Sequence, residues 1–310
     1  MTSFRYLLYG LHLRSSIAID GLDSLESPVI SDCEIRMGEV PSLDDAMAID
    51  TTAYIVDEPH MRIERSRREP GTYVFAFADG TRFRLDEYGR VITTSWQSTR
   101  EDMSTYLVGP VLAFVVRLRG TLALHASALS TDGWRALLLA GPPGVGKSTT
   151  AAAFVLRGAT MLTDDVAAIE WRDNGIPRVL PGYARLRLWA DSAAALFGSA
   201  DALPMLTPTW EKRFVDVRAS FASRAMPIGA IVMLAGRDKA TRVRRLQGHE
   251  AAMATLVRTS LTHLLDAEQR RRELDQVARL VEAVPVLEVT ARDDLAETGE
   301  LVDAIAAALL

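Results

Sequence analysis

Gly141-Pro142-Pro143-Gly144-Val145-Gly146-Lys147-Ser148 is the stretch that decides the fold. It satisfies G-x-x-x-x-G-K-[ST] at every fixed position. The apolar run Ala136 to Ala140 precedes it and reads as a buried strand ending at Gly141. An Ala-rich run from Thr149 to Arg157 follows, with helical spacing, and Gly158 stops it. Strand, glycine-rich turn and helix together make an anion site. Glycines let the backbone curl so that successive amides point inward, and the helix adds its positive end. Gly141, Gly144, Val145, Gly146, Lys147, Ser148 and Thr149 are therefore the expected cradle for a nucleoside triphosphate. Lys147 would reach the β- and γ-phosphates, and the Ser148 hydroxyl would hold Mg²⁺.

Outward from the loop, Thr160-Met161-Leu162 reads as a short strand running into Asp164-Asp165. Carboxylates there face the carboxyl edge of a sheet, where open α/β folds place ligands. One acid can hold Mg²⁺ while the other accepts a proton from an attacking hydroxyl. Upstream, Leu122 to Leu129 is a strand carrying His125, which is either a satisfied core histidine or a group facing the phosphates. Downstream, Ala167 to Trp171 reads as a strand, and Arg185 to Phe197 is mixed with a helix from near Asp191. Ile228 to Leu234 is a buried strand, Glu250 to Ala283 has one long helical periodicity, Val286 to Val289 is a strand, and Leu301 to Leu309 is a helix. Strands alternating with helices predict an α/β layer fold.

The first hundred residues differ in texture. From 53 to 96 the pattern is short and alternating: Tyr73 to Phe77, Arg82 to Leu85 and Val91 to Thr94, with turns at Asp79-Gly80 and Tyr88-Gly89. That predicts an antiparallel meander. Arg62, Arg65, Arg67 and Arg68 precede it and read as a solvated charged loop. Glu101 to Leu118 has helical spacing. The domain expectation is a β-rich unit over 1–100 and a catalytic unit over 101–310.

Composition narrows the partners. Of 310 residues, 48% are hydrophobic and 24% charged, which excludes disorder by composition. A net charge of −5 gives no global positive field, so nucleic acid is not the expected partner. The run Leu107 to Val116 is interrupted by Gly109 and Pro110 and falls short of a membrane span, so no membrane association is expected. Met1 to Arg14 has no apolar core followed by a cleavage site. The single cysteine, Cys33, excludes an internal disulfide and suits a reducing cytoplasm, with a buried structural thiol as its expected state.

His125, the loop Gly141 to Ser148, the pair Arg157-Gly158 and Leu162-Thr163-Asp164-Asp165 together resemble the catalytic core of HPr kinase/phosphorylase. The Leu124-His125-Ala126-Ser127 strand, Pro181-Gly182-Tyr183, Leu186-Arg187-Leu188-Trp189 and Lys212-Arg213-Phe214 narrow the resemblance to the HPr-kinase-like peptide-serine kinases of lasso peptide biosynthesis. The resemblance implies a phosphate-loop kinase core of the HPr-kinase type with a smaller β-rich N-terminal domain. It implies ATP and Mg²⁺ as cofactors and the C-terminal Ser of a ribosomal precursor peptide as acceptor. Asp165 is then the general base, with Lys147 and His125 beside it, and Ser148 and Asp164 are the metal-holding pair. Arg187, Lys212 and Arg213 are candidates for gripping the peptide or closing over phosphates. The family's Met-Glu-Ile-Arg-Gly segment has no counterpart here, Tyr183 to Trp189 standing roughly in its place. Phosphorolysis and HPr itself are therefore not carried over. The division of roles between the two aspartates, the choice of ATP or GTP, and assembly into a homo-oligomer stay open. Two other readings of the same residues remain: a small-molecule kinase and a nucleotide-dependent ATPase switch.

Overall fold

Alternating apolar residues bury one face of a strand, whereas a run that is apolar throughout must be covered on both faces. Both patterns occur in the computed structural model, which describes residues 3–26, 30–43, 46–49, 61–172, 174–292 and 298–309. The chain divides into two compact units, Met1–Gly120 with Leu261–Asp266, and Thr121–Ser260 with Ala267–Leu310.

The first unit is built on an eight-stranded sheet. Its strands are β1 (Phe4–Leu8), β2 (Leu11–Ser15), β3 (Cys33–Met37), β4 (Ala46–Ile49), β5 (Met61–Ser66), β6 (Tyr73–Phe77), β7 (Arg82–Leu85) and β8 (Val91–Ser95). Their order is β1-β2-β3-β8-β7-β6-β5-β4. The expected meander is its antiparallel part, turning at Gly80 and Gly89, whose φ of 86° and 60° suit glycine. The part of the alternating pattern over 53–60 lies outside the described residues. Two of the arginines expected in a charged loop lie on β5 instead, and Arg62 pairs with Glu64 at 3.3 Å. Cys33 is buried, and that burial pushes its thiol up to about 12.

The helical stretch after the sheet is two helices, α1 (Arg100–Tyr106) and α2 (Leu112–Leu118), joined by a wide turn over Leu107–Val111. Gly109 leaves helical geometry there, and Pro110 has no amide to donate. Thr99 and Asp102 close a capping box at the start of α1. The apolar side of these helices is buried on the sheet. Phe114 meets the Tyr73 ring edge-on at 4.8 Å, and Tyr106 stacks on Phe77 at 3.8 Å. That burial is why the first unit runs to Gly120, past the boundary expected near residue 100.

The second unit is mixed α/β. Its strands are β9 (Leu122–Ser130), β10 (Ala136–Ala140), β11 (Thr160–Thr163), β12 (Val166–Trp171), β13 (Pro177–Val179), β14 (Arg185–Leu188), β15 (Arg213–Asp216), β16 (Met226–Asp238), β17 (Arg242–Leu246) and β18 (Val286–Arg292). Its helices are α3 (Lys147–Leu156), α4 (Ala190–Phe197), α5 (Gly248–Leu256), α6 (Ala267–Ala283) and α7 (Thr298–Ala308). The main sheet runs β10-β9-β12-β13-β16-β18-β17, and β10 also pairs with β16 in parallel. Strand β10 is buried at every residue because helices cover both its faces. Leu137 and Leu139 face a core shared with Phe154 of α3 and Ile305 of α7. Leu138 and Ala140 face one shared with Ala251 of α5 and Val277 and Leu280 of α6. Strands β14 and β15 form a separate two-stranded ribbon.

One expected element is broken. The periodicity over Glu250 to Ala283 is two helices, α5 and α6. After α5 the chain leaves the helix and lies along β9: the His125 amide donates to the Arg258 carbonyl at 2.7 Å, and the Ser260 amide to the Ala123 carbonyl at 3.1 Å. Backbone pairing with an available strand edge outweighs local helical preference here. No described helix is long and apolar enough to cross a membrane.

Candidate functional site

The loop begins where β10 ends. At Gly141 a Cβ would stand 2.5 Å from the Leu234 carbonyl of β16, so only glycine permits that approach. Gly146, with φ 103°, precedes the first residue of α3. The Thr150 amide makes a helical bond back to the Gly146 carbonyl at 2.8 Å. The amides just before it lie in the first turn, where intrahelical acceptors run out. Lys147 folds back over the loop and donates from Nζ to the carbonyls of Gly141 and Pro142, each at 3.1 Å. Burial pushes its ammonium down from 10.5 to about 8; Asp165 and Asp164 oppose that, while Arg258 and Lys212 add to it. The Thr149 hydroxyl is turned away to Ser192 of α4 at 2.9 Å, which leaves its backbone as the ligand-facing part. Val145 packs on the core and likewise offers only backbone.

Asp164 and Asp165 form the turn from β11 to β12. Asp165 has φ 73°, a left-handed conformation that Asp adopts more readily than most residues. The two adjacent carboxylates have separate partners. Asp164, almost fully buried, accepts from the Ser127 hydroxyl of β9 at 2.6 Å, the Ser148 hydroxyl at 3.0 Å and the Arg187 amide of β14 at 3.0 Å. Asp165 has Oδ1 2.9 Å from His125 Nδ1 and Oδ2 3.2 Å from Arg187 Nη2. Burial opposes ionisation of Asp165, but Arg187 and then His125 outweigh it and hold its carboxyl well below the usual carboxylate range. His125 therefore faces Asp165 rather than the core, because its register on β9 sets it opposite Val166.

Two of the remaining predicted cations lie on strands, Arg187 on β14 and Arg213 at the start of β15, and Lys212 immediately precedes β15. Arg187 reaches the aspartates through both backbone and side chain. Lys212 Nζ lies 4.6 Å from the Trp189 ring and 5.5 Å from the Trp210 ring, and its charge acts on both Lys147 and Asp165. Arg213 departs from expectation. Its Nε donates to the Ala200 carbonyl at 3.2 Å, and its Nη2 lies 3.6 Å from Asp201. The Arg213 guanidinium is thus held at Ala200 and Asp201, whereas the charge of Lys212, just before β15, acts on Asp165. Arg157, in the Arg-Gly pair, ties α3 to α7 through Asp303.

Three contributors were not predicted as site residues. Ser127 supplies the shortest bond to Asp164, and Thr149's partner Ser192 steadies the helix start. Arg258 sits on the stretch that lies against β9 beside His125. The polar pair Thr259-Ser260 after it, both poor in helix interiors, was the signal that the helical period fails there. A cleft bordered by Val145, Gly146, Thr149, Thr150, Arg237 and Leu301 opens beside the loop.

Ser148 and Asp164 are oxygen donors held within hydrogen-bond distance of each other. Among the described residues, no group of three or more His, Cys, Asp or Glu is placed to hold a metal. The pair still fits Mg²⁺, which commonly takes one or two carboxylates and draws its other ligands from phosphate and water.

No family model and no curated protein matches the chain. Among solved structures, an Hpr(Ser) kinase/phosphatase from Coxiella burnetii aligns over 60% of this chain and 96% of its own, with 12% identity and a TM-score of 0.32. A likeness that distant does not assign the site, which rests on its own residues.

Proposed function

We propose that the second unit is an ATP-dependent phosphotransferase that moves the γ-phosphate to a Ser or Thr hydroxyl of a peptide. The carrying observation is the convergence of the full Gly141 to Ser148 loop, between β10 and α3, with Asp164 at Ser148 and Asp165 at His125 and Arg187. In this reading the loop amides and Lys147 hold the triphosphate, and the cleft beside Thr149 and Thr150 takes the nucleoside end. Ser148 and Asp164 hold Mg²⁺, which neutralises phosphate charge when bound. Asp165, fixed by His125 and Arg187, orients the acceptor hydroxyl. The acceptor oxygen forms its bond to the γ-phosphorus as the bond to the β,γ-bridging oxygen breaks. ADP leaves, and the acceptor proton passes to Asp165. A loose transition state asks little base strength of that carboxylate, so its lowered basicity is compatible with the role. Positioning and charge neutralisation supply most of the acceleration.

The resemblance to HPr-kinase-like peptide kinases makes the C-terminal Ser of a lasso peptide precursor the acceptor to test first, with Lys212 beside Trp189 and Trp210 on the acceptor side. Incubation with ATP, Mg²⁺ and candidate precursors, followed by mass spectrometry, tests the reading. A phosphorylated peptide is expected. ATP turnover without any phosphorylated peptide would instead indicate a hydrolytic switch, and phosphorylation of a free hydroxyl compound would move the acceptor to small molecules.

A further inference from the structure

Arg258 is half-buried, and among the described residues no hydrogen-bond or ion-pair partner holds its guanidinium. Other arginines of this unit are engaged: Arg187 by Asp165, Arg157 by Asp303, Arg244 by Glu250 and Glu288. A guanidinium has five donors in a fixed fork, and removing it from water without a partner is unfavourable. Its backbone is held in place. The Arg258 carbonyl accepts from His125, Thr259 bridges to Leu124, and Ser260 donates to Ala123. His125 in turn touches Asp165, so Arg258 is carried at the acceptor end of the site, while the cleft at Thr149, Thr150 and Arg237 lies beside the start of α3. Its charge is felt by Lys147, the residue that reaches the outer phosphates.

We propose that Arg258 is a clamp for the terminal phosphate of the bound nucleoside triphosphate, a cation supplied in cis by the chain that lies along β9. The proposal rests on the triphosphate reading above. An unengaged guanidinium whose charge bears on a second cation suits an anion site: the phosphate oxygens supply the missing acceptors and relieve the repulsion together. Arg suits this better than Lys because its fork meets two oxygens of one phosphate at once.

The test compares nucleotides that differ only at the clamp. Calorimetric titration with Mg–ADP and with the non-hydrolysable β,γ-imido analogue of Mg–ATP is run on the wild-type chain and on Arg258→Ala, Arg258→Gln and Arg258→Lys. Arg271→Ala removes the same charge from an exposed position on α6 as a control. The expected result is a loss of about 10- to 100-fold in triphosphate affinity for the Ala and Gln variants, the size of one charge-assisted contact. ADP affinity should stay within about twofold, Arg258→Lys should recover part of the loss, and Arg271→Ala should match wild type. Equal losses for both nucleotides, or none for either, overturn the clamp. Failure of the wild-type chain to bind either nucleotide overturns the triphosphate reading itself, and the two failures are told apart by the wild-type titration alone. Arg258→Gln keeps the side chain's polar reach, so a folding defect confined to the Ala variant leaves the comparison intact.

Discussion

Lys147 should weaken the empty protein that carries it. The loop buries its ammonium, and lowering its pKa from 10.5 to about 8 corresponds to about 3 kcal/mol of lost stability at pH 7. The sign follows from proton counting. Between about 8 and 10.5 the unfolded chain holds a proton on this lysine that the folded chain has lost, so stability rises with pH across that window. Below it, both states are charged and the full deficit is present. Lys147→Met keeps an unbranched side chain and removes the titration. The stability of Lys147→Met minus that of wild type should therefore be more favourable at pH 7 than at pH 10, by about 2 to 3 kcal/mol. Other groups titrate alike in both proteins and cancel. The two lost bonds to the Gly141 and Pro142 carbonyls enter at both pH values and largely drop out. The assay is urea unfolding read by tryptophan emission. Trp134, Trp171, Trp189 and Trp210, four of the five tryptophans, report on the second unit. A difference that stays flat with pH, or grows toward pH 10, would refute the claim that the loop desolvates this ammonium.

Three further outcomes follow from the geometry. Asp165→Asn should lower phosphoryl transfer by about 100-fold or more while leaving Mg–nucleotide affinity within a few-fold, compared by turnover assay and titration. Gly141→Ala puts a methyl group 2.5 Å from the Leu234 carbonyl, so it should destabilise the second unit by about 1–3 kcal/mol and weaken nucleotide binding, read by urea unfolding and calorimetry. Phe114→Ala empties a fully buried position beside Tyr73 and Phe75, and should destabilise the first unit by about 3–5 kcal/mol, seen in near-ultraviolet circular dichroism as its aromatic packing loosens at lower denaturant.

Much of the architecture was readable along the chain. Tyr73 to Phe77 and Arg82 to Leu85 are strands at the expected residues, because alternation and an Asp-Gly turn are local properties. Ala136 to Ala140 could be recognised as a doubly covered strand from its unbroken apolarity. The loop from Gly141 to Ser148 carries its geometry in its residue types: glycine where a Cβ would strike Leu234, and glycine again at φ 103°. Asp164 and Asp165 could be placed beside the loop for the same reason, since they directly follow a strand that follows the loop's helix.

The misreadings share a cause. Arg213 was grouped with Lys212 through the resemblance of the Lys212-Arg213-Phe214 segment, but its side chain lies against Asp201 and the Ala200 carbonyl. The helical period from Glu250 to Ala283 is real in the residues at both its ends, yet the chain between them took a strand edge on β9. The helices over 100–118 looked like the start of the second unit until Tyr73, Phe75 and Phe77 took their aromatic side.

The sequence by itself determined the local devices: the phosphate-loop motif, the order of strands and helices around it, and the pair of carboxylates that follows. Only the tertiary structure decided which groups those carboxylates meet. Ser127 and His125 come from β9 and Arg187 from β14, two segments that the sequence separates by more than fifty residues. Periodicity records whether a residue is to be buried. Which partner buries it depends on strand pairing between distant segments, and no local pattern carries that information.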